Sequence, residues 1–179
     1  MTRAGLALAL ALLAALPARA AEFDLLRFFE GASVSRGTIR TLFVFREDFE
    51  ARFEGVRESD GTLRLDERFR FADGDRLQRW RLRRQAEALS GTVQTEGSDG
   101  QLGVPVPVTG TQGSDGVVLD YHGRAPGGGN TVFHFRHRIT GNGDGTATNR
   151  VSVRKFGLPL ARSLVTFAKR AADLPPRQP

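Results

Sequence analysis

From Gly31 onward the chain alternates apolar and polar residues with a period of two. Phe49, Ala51 and Phe53 interleave with Glu50, Arg52 and Glu54. Val117, Leu119 and Tyr121 interleave with Val118, Asp120 and His122. Phe133, Phe135, His137 and Ile139 interleave with Val132, His134, Arg136 and Arg138, and Val151 and Val153 with Arg150, Ser152 and Arg154. Each run reads as a strand with one face buried and one in water. Asp60-Gly61, Asp73-Gly74, Asp99-Gly100 and Asp115-Gly116 are hairpin-type dipeptides between runs, and the Gly/Asn-rich stretches 127–130 and 142–145 mark two more turns. The long gap from Gly74 to Asp99 has room for two strands, with a turn near Ala86–Ala88. The pattern predicts roughly ten strands, at 35–46, 48–57, 62–72, 75–84, 88–96, 101–110, 116–124, 131–140, 146–155 and 162–169. Residues 22–30 (EFDLLRFFE) have a different rhythm, with apolar residues at 23, 25, 26, 28 and 29 before Gly31, which suits a short amphipathic helix stopped by a glycine.

Strands at this spacing, apolar on one face and charged on the other, predict an all-β antiparallel up-and-down barrel of about 8–10 strands, lipocalin-like, with the short N-terminal helix closing one end. A two-sheet sandwich is the alternative. One segment departs from the rhythm. Pro105 and Pro107 in GVPVPVTG are two apart, so their missing N–H groups fall on one side of a strand. That side cannot sustain a regular ladder, which places an edge, a bulge or the lip of a barrel there, with a mouth nearby.

The hairpin LRLDERFRFADGDRLQRWRL (63–82) carries an anomaly. Its apolar face reads Leu63, Leu65, Glu67, Phe69, Phe71, with a carboxylate in the middle. With Asp73-Gly74 as the two turn residues, Glu67 faces Trp80, Phe69 faces Gln78 and Leu65 faces Leu82. Arg64, Asp66, Arg68 and Arg70 then share the other face with Arg79, Arg81 and Arg83. Glu67 is thus expected inside, beside the chain's one tryptophan. A buried ionised carboxylate must find a partner or lose its charge. Gln78 lies diagonally close, and His137 and Asn149 sit on apolar faces of later strands. Glu67 is either a satisfied internal group that fixes the barrel, or a polar anchor in an otherwise apolar ligand pocket. On the second reading Phe69, Phe71, Trp80, Phe133 and Phe135 line the cavity, and Glu67, Gln78, His137 and Asn149 supply polar contacts.

The first twenty residues, MTRAGLALALALLAALPARA, have the charge, apolar run and small-residue exit of a secretory signal peptide cleaved after Ala20. The apolar run falls short of the ~20 residues that span a bilayer. Cleavage leaves 159 of 179 residues, one domain over 21–170 with a disordered tail at 171–179. Periplasmic or secreted location follows as the expectation, with no transmembrane segment after cleavage. The absence of cysteine excludes disulfides, thiolate metal sites and a lipoprotein anchor. The formal charge is +6, falling to +4 without Arg3 and Arg19, and Lys155 and Lys169 are the only lysines. Arginines alternating with Asp and Glu describe a mixed solvated surface rather than a nucleic-acid footprint. The positive balance is compatible with a weak contact to an anionic membrane surface.

No H-E-x-x-H, G-x-S-x-G, P-loop or dinucleotide fingerprint is present. His134 and His137 fall on opposite faces of one strand and cannot share a metal simply. GNGDGT at 141–146 lacks the ligand spacing and closing Glu of a calcium loop and reads as a hairpin turn. No metal or cofactor is expected. Glu67 with His137 could form an acid/base pair, so Glu67 is the one candidate catalytic residue.

The ordered segments FDLLRFFEG (23–31), LDERFRFADG with a following Arg-Trp (65–80), NRVSVRKFGLPL (149–160) and VTFAK (165–169) resemble an uncharacterised bacterial envelope family, domain of unknown function 3833. The matching residues are Phe29, Glu30, Gly31, Glu67, Phe69, Asp73, Gly74, Trp80, Asn149, Lys155, Phe156, Gly157 and Lys169. The chain departs from that family's pattern in two places. It has no cysteine after the signal, and it has His134, Arg136, His137 and Arg138 where relatives carry an acidic, tryptophan-containing strand. The resemblance implies a lipocalin-like barrel and, through neighbouring genes of fatty-acid modification, a connection to lipid. Three functions follow as expectations. The first is binding or carrying a small hydrophobic or lipid-like molecule. The second is lipid modification with Glu67 as acid/base. The third is a non-catalytic structural or assembly role in the envelope.

Overall fold

The computed structural model describes residues 23–42, 44–114 and 116–176. The expected signal peptide at 1–20, Asp115 of the 115–116 turn, and the last three residues of the expected tail lie outside them. A one-turn helix α1 (Leu25–Phe28) precedes ten strands: β1 (Gly31–Thr41), β2 (Phe45–Arg57), β3 (Leu63–Phe71), β4 (Gly74–Gln85), β5 (Ala88–Thr95), β6 (Val106–Gly113), β7 (Gly116–Gly123), β8 (Phe133–Gly141), β9 (Ala147–Lys155) and β10 (Leu158–Ala168). Each strand pairs antiparallel with the next, and β1 pairs with β10, so the sheet closes into an up-and-down barrel. Closure leaves no unpaired sheet edge, and it decides for the barrel over the sandwich.

The period-two pattern becomes inside and outside. Phe49, Ala51, Phe53, Leu63, Leu65, Trp80, Leu82, Val93, Leu119 and Tyr121 are all buried in one core. The charged face forms outer ladders, among them Arg79 to Asp66 through two hydrogen bonds at 2.7 and 2.9 Å and Arg81 to Glu58.

Helix α1 is shorter than the expected 22–30, because one turn suffices to plug the end. Asp24 caps it by accepting from the Arg27 amide at 3.0 Å. Leu25, Leu26 and Phe29 point into the barrel, and Phe29 packs against Phe53 and Phe167. The plug is tied from two strands, β6 and β4, and from the residue that follows β10. The Leu25 amide donates to Gln112 Oε1, Lys169 Nζ donates to the carbonyls of Phe28 and Glu30, and Arg84 pairs with Asp24. Gly55 lets β2 pass against the helix end, since a Cβ there would sit 1.8 Å from the Phe29 carbonyl oxygen. At the far end of the chain, Ala171–Asp173 form a 3-10 turn, and Arg36 donates to the Pro175 carbonyl.

Four strands differ from the pattern-based expectation by three residues or more, with β1 beginning at Gly31 rather than 35 and β6 ending at Gly113 rather than 110. β1 ends at Thr41 and β2 begins at Phe45, because the chain reverses between them, the Val44 amide donating to the Thr41 carbonyl at 3.1 Å, although neither Leu42 nor Val44 is a turn-type residue. β10 begins at Leu158, since Phe156-Gly157 forms a two-residue hairpin with both residues at positive φ (52° and 80°). β6 begins at Val106 rather than 101, because 96–105 runs as a loop held by the Gly103 amide on Thr95 O and by Gln94 on Gly103 O. Pro105 precedes that strand and Pro107 sits in its first rungs, at the end of the barrel opposite α1.

The β3–β4 register is corrected by one rung. Glu67 pairs with Gln78, Leu65 with Trp80 and Phe69 with Arg76. A two-residue turn at Asp73-Gly74 would require positive φ at Asp73, but only Gly74 has it (135°); Ala72 and Asp73 form the turn and Gly74 closes it. Moving the turn by one residue shifts the pair sum by two, so every side chain keeps its face.

Candidate functional site

A cavity of about 450 Å³ occupies the half of the barrel away from α1. It runs from Phe167 and Glu67 in its depth to Leu42, Asp73 and the Ala125–Gly127 loop at the mouth. Its wall is mostly apolar. Phe69 and Phe71 stack at 5.6 Å, Phe49 tilts against both, and Phe133, Phe135, Val151 and Val165 continue the surface.

The polar residues of the interior are few and concentrated. The Trp80 indole N–H donates to Glu67 Oε2 at 3.0 Å. Gln78, beside Glu67 in the pairing, donates to Thr95 Oγ1 at 2.8 Å and hydrogen-bonds the Tyr121 hydroxyl. Tyr121 stacks on Phe135 at 4.8 Å and lies 5.7 Å from the His137 ring, while Trp80 meets both Tyr121 and His137 edge-on. Asn149 Nδ2 and His137 Nδ1 are 3.0 Å apart. Whichever way the amide is turned, one imidazole nitrogen and one amide atom are left over. His137 Nε2 and Asn149 Oδ1 are buried with no hydrogen-bond partner among the described residues, as is Ser163 Oγ, also on the cavity wall. Unpaired buried polar atoms of this kind cost free energy and ask for a partner.

Burial sets the charge of this region. Desolvation pushes the Glu67 carboxyl up to about 8, against the opposing effect of the Trp80 hydrogen bond. Desolvation pushes His137 down to about 4, with the charge of Asp120 working weakly the other way. Burial also raises the Tyr121 hydroxyl. Near neutral pH the depth of the cavity is therefore polar and uncharged. Arg76 sits at the rim under the Ala125–Gly127 loop, paired with Asp73 at 3.1 Å.

Eight of the nine residues expected around the cavity line it: Glu67, Phe69, Phe71, Gln78, Phe133, Phe135, His137 and Asn149. Trp80 does not. One rung deeper than expected, opposite Leu65 and Val93, it is only 5% exposed and holds Glu67 from behind. Tyr121, Phe49, Val151 and Ser163 also line the cavity without having been singled out. The first three lie on inward positions of clearly alternating strands, so strand parity was the signal available for them. On the outer face, His134 bonds Asp120 at 3.0 Å and stacks on His122. His134 and His137 do point to opposite sides of the wall.

No match to the chain is found among curated proteins. Residues 9–169 match the family model described as Protein of unknown function (DUF3833), so nearly the whole chain, including both the barrel and its cavity, is covered. The chain belongs to that family.

Proposed function

We propose that this protein, exported to the periplasm, binds or carries a small hydrophobic or lipid-like molecule inside the barrel. The observation that carries the reading is a cavity of about 450 Å³ that reaches Glu67. Ligand pockets are typically ~300–1,000 Å³, mostly apolar, with a few placed polar groups, and this one has that make-up. The apolar body of the ligand lies along Phe49, Phe69, Phe71 and Phe135. Its polar end meets Glu67, Gln78, His137 and Asn149, where unpaired buried atoms await a partner. An uncharged floor favours a neutral hydrogen-bonding group there and disfavours an ionised one.

Native mass spectrometry of the gently purified mature chain tests this. The expected result is an adduct released by organic extraction, with the emptied protein then taking up a fluorescent fatty-acyl probe. Ser163→Trp, which fills the cavity, should abolish uptake while the fold persists. A folded chain that carries no adduct and takes up no such probe would overturn the reading.

The raised carboxyl of Glu67 and the neutral imidazole of His137, lining one cavity, support a second reading, acid/base chemistry on a lipid-like substrate. Glu67→Gln separates the two. A carrier keeps its ligand in that variant, whereas an enzyme loses turnover.

A further inference from the structure

The mouth of the barrel is the apolar end of the molecule's surface. Seven of the nine exposed large hydrophobic residues among those described lie on the connections or strand ends at this end. Five of them form one lip: Leu42, Val44 and Phe45 on the β1–β2 turn, Phe156 and Leu158 on the β9–β10 turn. The two turns are joined. The Leu160 carbonyl accepts from the Leu42 amide at 2.7 Å, one rung beyond the Thr41–Ala161 pair of β1 and β10. Leu42 and Leu160 also line the cavity, so the lip is its rim.

Phe156 is the most telling residue of the lip. It is 92% exposed and held at φ 52°, a conformation that favours glycine or asparagine at this position of a hairpin. Water and backbone sterics both disfavour a phenylalanine there, which directs attention to what the ring touches outside the protein.

Just behind these tips the surface is basic. Arg40 pairs in register with Arg46 on one side and Arg162 on the other, setting three arginines abreast across β2, β1 and β10. Arg154 and Lys155 continue the band on β9, with Lys155 Nζ 5.5 Å from the Phe156 ring centroid. Against these five cations the hairpin-tip stretches 40–48 and 154–162 carry two carboxylates, Glu47 and Asp48, and Asp48 is paired to Arg46. Like charges placed side by side repel, and an anionic surface relieves that repulsion.

We propose that this lip inserts its apolar tips into the headgroup region of an anionic lipid bilayer, so that the cavity mouth opens onto the membrane. Protruding tips backed by cations are the arrangement that interfacial binding uses. The barrel docks rather than spans, since its outer wall carries arginines at mid-height, among them Arg68, Arg79, Arg138 and Arg150, where a spanning barrel needs an apolar band. The docking does not depend on what the cavity holds.

Co-sedimentation of the mature chain with vesicles tests it. Vesicles of equimolar phosphatidylethanolamine and phosphatidylglycerol should capture the protein, and vesicles of phosphatidylcholine alone should capture far less. Phe156→Gly, which fits the turn and keeps the fold, should weaken capture roughly tenfold by removing a buried ring. Arg154→Gln and Lys155→Gln should each weaken it about fivefold and reduce its sensitivity to salt. Because the chain lacks cysteine, a single fluorophore can be placed at Val44→Cys or, at the plugged end, Glu87→Cys. Only the first should report an apolar environment with vesicles. Indifference to phosphatidylglycerol, an equal response at both labels, or self-association through the same tips would overturn the proposal. Acyl-probe uptake in the same preparations is read separately, so failure of the docking and failure of the carrier reading are distinguishable.

Discussion

Glu67 shows how one residue couples packing to pH. Its carboxyl titrates near 8 in the fold against 4.5 unfolded, so the folded state holds the extra proton between those values, and stability falls as pH rises through the window. His137 runs the other way. It titrates near 4 against 6.5, so its contribution is lost as pH falls from 6.5 towards 4. The two slopes cancel between 4.5 and 6.5. Urea denaturation should therefore give a plateau there, with a loss of about 1.4 kcal/mol per pH unit from 6.5 towards 8. Glu67→Gln should remove the alkaline loss and turn the plateau into a loss as pH falls from 6.5 towards 4; an unchanged profile in that variant would refute the assignment. Trp80→Phe removes the one hydrogen bond given to Glu67 by an aromatic N–H. It should cost about 1–3 kcal/mol and raise the carboxyl pKa further, measurable by NMR titration. That Glu67 points inward was legible from alternation alone. Its direct neighbour was not, because a two-residue turn can be centred on either side of Asp73, and the backbone angle of that residue is a property of the folded hairpin.

The elements differ in how openly the sequence announces them. Strands β3 to β5 and β7 to β9 begin and end within two residues of the pattern, since Gly- and Asp-rich turns or a sharp change of period bound them. The pattern misplaces the β1–β2 turn because Leu42 and Val44 extend the apolar run instead of interrupting it, and it draws the β9–β10 turn too long because apolar Leu158 and Leu160 flank Pro159. The features that conceal these turns are those that make the lip apolar. Phe156→Gly should raise stability by up to about 1 kcal/mol, because glycine removes the left-handed strain; a clear loss in thermal unfolding would contradict this. At the other end, Gly55→Ala should cost about 1–3 kcal/mol by driving a methyl into the Phe29 carbonyl. Hydrogen exchange at the Phe28 and Phe29 amides, which close the plug, should accelerate with it.

The whole molecule is a closed wall with a plug at one end and a cavity at the other. Closure rests on β10, which pairs with β1 over eight rungs from Val34–Ala168 to Thr41–Ala161. Truncation after Lys155 would leave β1 and β9 as bare edges and open the apolar interior. Such a chain should show no cooperative unfolding transition and should aggregate. A monomer with native-like circular dichroism would refute this. Burial of α1 in one end confines the empty volume to the other, which is why the cavity, the polar cluster and the lip all belong to the same half.

Alternation, turn residues and charge placement determine the all-β class, a strand number near ten, the inward and outward sets and the inward carboxylate. These follow from local rules of period and turn chemistry, which one stretch of chain obeys largely by itself. The tertiary structure alone decides that Trp80 stands behind Glu67, that His137 and Asn149 meet across β8 and β9 with atoms left unpaired, and that two distant turns join as a lip over the mouth. The first two depend on the registers of the β3–β4 and β8–β9 hairpins, and the third on closing the barrel, which brings β1 and β10 together from opposite ends of the chain and decides the barrel over the sandwich.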